Sequence, residues 1–478
     1  MDKAQILIAS NRGPVSFSIA EDGSLEPRRG GGGLVSGMIS VATEIDSIWV
    51  CTALSEGDRR AVSGAPGTRL DRDHDLGGMR VHMLNIPEET FQGAYNGVAN
   101  SALWFLLHMM YDTPNKPSFG SGFRRRWEDY TAYNNAFAEA LVSGAADNAR
   151  VAVQDYHLAL VPRILRARRP DLRIAHFSHT PWAPPEYFRL LPDDIARDVL
   201  AGMLGADRLG FHSPRWADAF LRCCAEILRA DVDFGTRTVE YGGRVIGVGV
   251  HALGADGAEL RESASDPLVE ARRETLKELV GDTRLIVRVD RTELSKNIVR
   301  GLEAYRELLR AEPRWRGRVT HLAFAYPSRG DVPEYREYTD RVLRIAKEVN
   351  EEFATAEWTP LILEVNDDYP RSLASFQLAD VLLVNPIRDG MNLVAKEGPV
   401  LSERDSVLVL SREAGAADEL GEDALTVNPY DIVETAQALH RALSMPAAER
   451  RARRERLAEA AVALPPRRWF QEQLRSLD

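Results

Sequence analysis

Asn385-Pro-Ile-Arg-Asp-Gly-Met-Asn-Leu-Val-Ala-Lys-Glu397 is the stretch that decides the fold. The short apolar run 379–384 before it is typical of a buried parallel strand, and the residues from Leu393 onward have the pattern of a helix. Gly390 offers the φ angle that a sharp turn between strand and helix requires. Such a turn directs the N–H groups of residues 391–394 and the positive end of the helix dipole out of the carboxyl edge of a sheet. The stretch therefore predicts an anion site suited to a diphosphate.

An ordinary strand-to-helix connection would have the same outline. Two carboxylates favour a ligand site instead, because Asp389 and Glu397 are eight residues apart. On a helix that spacing is close to two turns, so both side chains can face one cleft.

Strand-like and helix-like segments alternate along the whole chain. Amphipathic segments such as 299–309 and 335–349 separate the strands, and the Gly-Gly pair at 242–243 predicts a hairpin within 238–250. The other predicted strands are 5–9, 48–53, 79–86, 150–156, 173–179, 208–212, 284–289, 320–326, 361–365, 381–384, 407–410 and 424–427. This alternation in two halves predicts two doubly wound α/β domains facing one another across a cleft, with a hinge near 251–265.

Composition excludes several classes of protein. A chain of 478 residues is too long for one core, and 44% apolar with 27% charged residues is typical of a soluble globular protein. No apolar run approaches the roughly 20 residues of a membrane span, and no signal peptide precedes the first strand. Three cysteines without CxxC spacing indicate a reduced, cytoplasmic setting. A net charge of −11 argues against nucleic-acid binding, so an anionic substrate needs a local positive pocket.

The first strand leads into Ser-Asn-Arg-Gly-Pro (10–14) and then into a run of four glycines at 30–33. The glycines suggest a loop that approaches a ligand closely, although a flexible surface loop has the same composition. The run is neither a Walker loop nor GxGxxG. Arg12, at the carboxyl end of the first strand, is well placed to bind an anion.

Aromatic and polar residues follow in the first half. Tyr95 and Trp104 have small, polar neighbours, which favours a sugar site over a place in the core. Asp155 and His179 end two consecutive strands, and we expect them to be hydrogen-bonding groups of the cleft. His176 and His179 are poorly placed to bind one zinc ion together, because an odd offset puts them on opposite faces of a strand.

In the second half, Arg291 and Lys296 lie at a junction between strand and helix. Each could be an ordinary surface charge. Together, opposite the turn at Gly390, they would form half of a phosphate clamp.

Taken together, these segments resemble the trehalose-6-phosphate synthase family of retaining glycosyltransferases with the GT-B fold. The resemblance runs through almost the whole chain. It rests on the motifs at 10–14, 32–34, 95–104, 154–158, 179–182, 291–296, 328–332 and 388–397. The family implies a nucleoside-diphosphate-glucose donor, glucose 6-phosphate as acceptor and α,α-trehalose 6-phosphate as product. It also implies an acceptor-binding domain over 1–250, a nucleotide-sugar-binding domain over 251–462, and a helix at about 463–478 that returns to the first domain.

The resemblance also implies a role for individual residues. Arg291 and Lys296 would hold the donor diphosphate, and Asp389 and His179 would fix the transferred glucose. The remaining donor-site residues would be Gly33, Asn366, Asn392, Leu393, Val394 and Glu397, with Glu397 accepting from the ribose hydroxyls. The acceptor-site residues would be Arg12, Tyr95, Trp104, Asp155 and Arg329.

Fixed cations and dipoles would stabilise the leaving nucleotide, so no metal or other cofactor is expected. The favoured route is a front-face transfer, in which an oxygen of the donor phosphate takes the acceptor proton. No membrane partner is expected, and the sequence leaves a homo-oligomer open.

Two departures from the family pattern affect these expectations. The usual Arg-Leu-Asp-Tyr-Ser-Lys is Arg-Thr-Glu-Leu-Ser-Lys at 291–296, which keeps both cations. Where members that use UDP-glucose commonly have His-Phe-Asp, this chain has Asn366-Asp367-Asp368. Oxygens of Asn and Asp can accept from the N–H donors of guanine, which favours GDP-glucose as donor.

Two rival functions remain open. One is a pseudo-glycosyltransferase that couples a GDP-cyclitol to an aminocyclitol phosphate through a C–N bond. The other is a non-catalytic sugar-phosphate sensor on the same fold. The presence of His179 and Asp389 favours a true sugar donor, and the intact cation pair with Glu397 favours an enzyme.

Overall fold

The computed structural model describes residues 3–29, 38–39, 41–42, 45–65, 69–72, 74, 76–328, 330 and 332–478. The chain divides into two compact units. The first comprises Met1–Ala252 together with Pro466–Asp478, and the second comprises Leu253–Pro465. Among the described residues, no helix combines the length and apolar character that crossing a membrane requires.

The first unit is built on a nine-stranded sheet with a separate small hairpin. Its strands are β1 (Ala4–Ala9), β2 (Val15–Ile19), β3 (Leu25–Arg29), β4 (Ser47–Thr52), β5 (Arg80–Leu84), β6 (Ala145–Gln154), β7 (Arg173–Ser178), β8 (Arg208–Phe211), β9 (Asp231–Asp233), β10 (Thr238–Tyr241) and β11 (Arg244–Val250). The large sheet has the order β5-β4-β1-β6-β7-β8-β11-β10-β9 and is parallel from β5 to β11. The carboxyl ends of its parallel strands therefore meet at one edge.

Two hairpins belong to this unit. Strands β10 and β11 pair antiparallel through Gly242 and Gly243, whose φ angles are 60° and 73°, as the Gly-Gly pair predicts. The pairing of β2 with β3 was not predicted. The alternation Val-Ser-Phe-Ser-Ile in β2 carries the period-2 signal, but the strands are only five residues each.

Helices cover the large sheet and close its core. The α-helices are Glu56–Gly64, Glu88–Gln92, Trp104–Leu107, Ser121–Gly144, Val161–Arg168, Pro185–Phe188, Asp193–Met203, Pro214–Cys223 and Pro466–Arg475. Gly93–Leu103 and Cys224–Leu228 are π-helical, and Leu70–Arg72 and Tyr156–Leu158 are short 3₁₀ turns. Trp469 and Phe470 of the last helix are fully buried in this unit, which explains why the end of the chain belongs to it.

The second unit has a six-stranded, fully parallel sheet. Its strands are β12 (Arg284–Arg291), β13 (Val319–Tyr326), β14 (Leu361–Glu364), β15 (Val381–Val384), β16 (Val407–Ser411) and β17 (Leu425–Val427), in the order β14-β13-β12-β15-β16-β17. The strand order reverses between β12 and β15, and such a switch point is where open α/β sheets bind ligands.

The helices of the second unit follow the predicted alternation. They are Gly257–Ala264, Pro267–Val280, Ile298–Ala311, Pro333–Phe353, Tyr369–Leu378, Val394–Leu401, Ala417–Leu420, Ile432–Ser444 and Ala447–Ala461, with 3₁₀ turns at Leu294–Lys296 and Pro313–Trp315. The amphipathic segments 299–309 and 335–349 are confirmed as helices. In Ile298–Ala311 the buried Ile298, Leu302, Tyr305 and Leu309 recur at helical spacing and pack into the core.

Candidate functional site

Polar residues collect at the carboxyl edge of the parallel sheet in the first unit. Arg12 follows β1, Asp155 follows β6, and His179 follows β7. Because these strands are parallel, their ends lie at the same edge, and the structure brings Asp155 and His179 into direct contact. Arg12 is exposed there, and Ser10 donates to its backbone carbonyl at 2.7 Å.

Asp155 occupies a strained backbone conformation, with a φ of 73° that side chains other than glycine rarely adopt. Its backbone N–H donates to the Phe177 carbonyl at 2.7 Å, and its Oδ1 accepts from the backbone N–H of His179 at 3.2 Å. The carboxylate therefore ties the ends of β6 and β7 together.

The His179 ring lies between two polar side chains. Its Nε2 is 2.9 Å from Gln154 Oε1, and its Nδ1 is 3.1 Å from His212 Nε2. Burial, followed by the neighbouring His212 and His176, holds the pKa of His179 well below its ordinary value. At neutral pH the ring is therefore uncharged and can exchange hydrogen bonds with hydroxyl groups.

Tyr95 and Trp104 lie on consecutive segments after the helix Glu88–Gln92. Tyr95 belongs to the π-helical segment, an element that often marks functional sites. Its ring stacks on His157 with 5.6 Å between centroids, and His157 Nδ1 is 3.9 Å from Asp155 Oδ2. The Trp104 ring lies 5.9 Å from that of Tyr156. The structure thus links Tyr95 to Asp155 through His157, whereas two further predicted residues, Gly33 and Arg329, lie outside the described residues.

Arg291 and Lys296 lie where β12 ends in the second unit. Arg291 Nη1 is 3.1 Å from Glu293 Oε1, and its side chain is half exposed. Lys296 ends the 3₁₀ turn, and Asn297 follows it in a left-handed conformation with a φ of 57°. The Asn297 side chain donates to the carbonyls of Asn385 and Pro429 and so holds this turn against the loop after β15.

A fully buried arginine supports the turn that carries Lys296. Arg288 donates to Asp290 Oδ2 at 2.6 Å, to the Lys296 carbonyl at 3.0 Å and to Asn385 Oδ1 at 3.2 Å. Burial raises the pKa of Asp290. The positive charges of Arg288 and Lys296 act to lower this pKa but do not outweigh burial.

Lys296 and Asp389 form an ion pair, with Nζ and Oδ2 2.6 Å apart. Asn392 Nδ2 donates to the same carboxylate oxygen at 3.1 Å. Burial acts to lower the pKa of Lys296, but Asp389, Asp290 and Glu293 outweigh it and raise the pKa. A residue predicted to hold phosphate and one predicted to hold sugar are therefore direct neighbours.

The structure corrects the prediction for the turn between β15 and its helix. The helix begins at Val394, one residue after the predicted start at Leu393, and Asp389 precedes it and does not share a helical face with Glu397. The left-handed residue of the turn is Asn392, with a φ of 84°, and not Gly390. Asn392 can adopt this conformation because its side chain accepts from the Ala395 N–H at 3.1 Å and so caps the helix.

The first N–H groups of this helix, including that of Val394, have no partner within the helix by geometry. Leu393 is its N-cap residue, and Glu397 lies in its first turn. Burial raises the pKa of Glu397 to about 7, so this carboxyl is poised to change charge near neutral pH. Asn366 is exposed in the loop between β14 and the helix Tyr369–Leu378.

Reasoning from the sequence missed several residues that contact the predicted ones. They are Gln154, His212, Arg288, Glu293 and Asn297. Polar residues at the end of buried strands were the available signal for Gln154 and His212. Among the described residues, no group of three or more His, Cys, Asp or Glu side chains is arranged to hold a metal ion.

The candidate site residues of the first unit and those of the second unit lie on a fold shared with known proteins. The profile of glycosyltransferase family 20 matches residues 4–478. The chain belongs to glycosyltransferase family 20. The structure of trehalose-6-phosphate synthase from E. coli bound with UDP-2-fluoro glucose has a TM-score of 0.87 and 29% identity, with 99% of this chain and 98% of that chain covered. This likeness confirms the predicted family resemblance and the GT-B fold.

Curated relatives of this family 20 chain carry two kinds of name. The bifunctional trehalose-6-phosphate synthase/phosphatase of Thermoproteus tenax is 34% identical over 95% of this chain, which spans 61% of that relative's length. The UDP-forming α,α-trehalose-phosphate synthase of Schizosaccharomyces pombe is 31% identical, with 95% of this chain and 86% of the relative covered. The validamine 7-phosphate valienyltransferase of Streptomyces hygroscopicus subsp. jinggangensis is 31% identical, with 100% and 95% covered.

Proposed function

We propose that this protein transfers glucose from a nucleoside-diphosphate-glucose to glucose 6-phosphate and forms α,α-trehalose 6-phosphate with retention of configuration. The observation that carries the proposal is the cluster at the switch point of the second sheet, where Lys296 pairs with Asp389 beside the start of a helix. A leaving diphosphate needs fixed positive charge, and the transferred sugar needs hydrogen-bond acceptors. This cluster offers both the positive charge and the acceptor, because Lys296 is hydrogen-bonded directly to Asp389.

In this proposal Arg291, Lys296 and the amides of Leu393 and Val394 stabilise the charge of the leaving nucleotide. Arg291 is half exposed on its strand end, which leaves its guanidinium accessible to a phosphate. Asp389 and His179 accept from hydroxyls of the transferred glucose, and Glu397 accepts from the ribose. No step requires a metal, because the developing negative charge meets cations and helix amides that the chain supplies.

The acceptor would contact four described residues of the first unit, which are Arg12, Tyr95, Trp104 and Asp155. Arg12 is the exposed cation at the end of β1 and suits the phosphate of glucose 6-phosphate. Tyr95 and Trp104 offer ring faces and polar edges to the sugar, and Asp155 offers a carboxylate. The family resemblance also assigns Arg329 to the acceptor phosphate and Gly33 to the donor site, and both lie outside the described residues.

For the nucleobase we propose guanine, on the basis of Asn366, Asp367 and Asp368 in the loop after β14. Their side-chain oxygens can accept from the N1–H and N2–H₂ groups of guanine, which uracil lacks in that arrangement. The S. pombe relative is named as UDP-forming, so this preference would set the present chain apart from it.

The valienyltransferase name of one relative makes the pseudo-glycosyltransferase reaction the alternative to test. The phosphate-binding cations serve both reactions, so they do not discriminate. A sugar donor needs acceptors for its ring hydroxyls, and His179 and Asp389 supply them. The sensor alternative predicts binding without turnover.

One panel of donors and acceptors separates these functions. UDP-glucose, GDP-glucose, ADP-glucose and a GDP-cyclitol are each offered with glucose 6-phosphate and with an aminocyclitol phosphate, and released nucleotide is measured. We expect GDP-glucose with glucose 6-phosphate to be the best pair. A clear preference for UDP-glucose would refute the nucleobase proposal alone. Turnover only with the cyclitol pair, or calorimetric binding without any turnover, would refute the synthase.

A further inference from the structure

Gln154, His179 and His212 form a continuous chain of hydrogen bonds in the first unit. It begins at the Gln154 amide, passes through both nitrogens of His179 and reaches His212 Nε2. His212 Nδ1 in turn lies 3.3 Å from the carbonyl oxygen of His251. Gln154 and His212 expose only 2% and 3% of their surfaces, so their hydrogen bonds are made inside the protein.

The contact between His212 and the His251 carbonyl indicates where the hydrogens of these bonds lie. A carbonyl oxygen can only accept, so Nδ1 of His212 carries a hydrogen. A neutral imidazole carries one ring hydrogen, which makes Nε2 of a neutral His212 an acceptor. The hydrogen between the two rings then belongs to Nδ1 of His179. Nε2 of His179 then carries no hydrogen, and its lone pair can accept a hydrogen bond.

The Gln154 amide supplies the matching donor. Its nitrogen Nε2 is buried and has no hydrogen-bond partner among the described residues, while its oxygen lies 2.9 Å from His179 Nε2. A half-turn of the amide about its last bond exchanges the two atoms at nearly the same positions. The nitrogen then donates to His179 Nε2 and gains the partner that a buried N–H group requires.

The surroundings favour a neutral ring at His179, whose pKa burial holds well below its ordinary value. Phe177 packs against His179, His212 and Trp469, each with 4.8 Å between ring centroids. The charged and titratable groups nearby are Asp155, whose Oδ1 accepts from the His179 backbone, His176, and His251 with Glu472, whose Oε2 is 3.8 Å from His251 Nδ1. Burial lowers the pKa of both His176 and His251, so neither adds a positive charge near neutral pH.

We propose that His212 and Gln154 are positioning residues that hold His179 in the tautomer with its hydrogen on Nδ1. Nε2 of His179 is then a hydrogen-bond acceptor, for Gln154 in the unliganded protein and for a sugar hydroxyl in the donor complex. His179 consequently gives no proton to the leaving nucleotide. That the hydroxyl belongs to the transferred sugar rests on the proposed function. The assignment of the tautomer does not depend on it.

A spectroscopic experiment tests the tautomer without turnover. The full-length protein is labelled with ¹⁵N-histidine, and the His179 signals are assigned by their loss in His179→Gln. Between about pH 6 and 8, where a free histidine titrates, we expect a protonated-type shift at Nδ1 and an unprotonated-type shift at Nε2. A hydrogen on Nε2, or an imidazolium, would overturn the proposal. This readout stands even if the donor panel shows no synthase activity.

Two substitutions test the positioning role by kinetics. His212→Phe keeps an aromatic ring beside Phe177 but removes the acceptor for His179 Nδ1–H. We expect kcat/KM to fall by about 10- to 100-fold, the scale known for removal of a hydrogen-bond partner that orients a metal-ligating histidine. His212→Gln restores an acceptor near the position of Nε2 and should recover most of the loss. The proposal would be contradicted if His212→Phe were as active as the original protein. It would also be contradicted if folded His212→Phe and His212→Gln lost kcat/KM to the same extent.

Discussion

Lys296 Nζ donates to Asp389 Oδ2 at 2.6 Å across 93 residues of sequence. An ammonium group has three N–H donors, and this bond uses one of them. In the proposed mechanism this ion pair orients Lys296 and leaves two of its N–H donors for phosphate oxygens. It also holds Asp389 beside the position that we propose for the diphosphate, where the transferred sugar would be attached.

Removal of the Lys296 charge should abolish most of the catalysis. We expect Lys296→Ala to lower kcat/KM by at least about 100-fold, the scale for one lost charge contact in a transition state. Lys347, an exposed lysine paired with Glu351, provides the matched control, and Lys347→Ala should leave the rate unchanged. A Lys296→Ala enzyme with full activity would contradict the proposed mechanism.

Arg12 should act on the acceptor and not on the donor. We expect Arg12→Ala to raise the KM for glucose 6-phosphate while the KM for the donor changes little, because its guanidinium would bind the acceptor phosphate. Arg163, an exposed arginine of the same unit paired with Asp198, serves as control. A selective increase in the donor KM would show that this assignment is wrong.

Glu397 should make donor binding depend on pH. Its pKa of about 7 lies above the ordinary 4.5, so the carboxyl gains its charge as the pH rises through neutrality. Ribose hydroxyls donate to the charged form, and the donor KM should therefore fall between about pH 6 and 8. Glu397→Gln should show a higher KM with this pH dependence removed, which steady-state kinetics at several pH values would measure.

The same group contributes to the pH dependence of stability. Because its pKa is raised in the folded state, its favourable contribution is complete below about 4.5 and is lost as the pH rises through about 7. Denaturant unfolding should show a smaller loss of stability over this range in Glu397→Gln than in the original protein. An identical pH dependence in both proteins would mean that Glu397 does not titrate in this window.

Arg288 should matter for folding as well as for the position of Lys296. Arg288→Met leaves the buried Asp290 without its partner, and such a loss typically costs about 3–5 kcal/mol. Arg310→Met breaks an exposed ion pair with Glu352 and should cost no more than about 1 kcal/mol. Urea unfolding of the two variants measures the difference, and similar losses would argue against a structural role for the buried pair.

Chelation should leave the reaction intact. If arginine, lysine and helix amides stabilise the leaving diphosphate, treatment with EDTA should not lower kcat. Restoring Mg²⁺ should then bring no gain beyond the effect of ionic strength. A loss of activity that Mg²⁺ reverses would contradict the metal-independent mechanism.

Much of the fold could be predicted because its signals are local. Apolar runs and amphipathic periods marked the strands and helices of both sheets, and Gly242-Gly243 marked its hairpin. The same reasoning failed where a turn depends on its surroundings. Asn392 adopts the left-handed conformation because its side chain caps the helix and contacts Asp389, and neither contact can be read from residue types in order.

The sequence by itself determined the alternation of elements, the family and the residue types available at each strand end. Only the tertiary structure decided which of them meet. Lys296 reaches Asp389, and His179 reaches both Gln154 and His212, because β12 lies beside β15 and β6, β7 and β8 are neighbours in their sheet. Parallel strands bring their carboxyl ends to one edge whatever their separation in sequence, so these contacts follow from strand order, which no local pattern specifies.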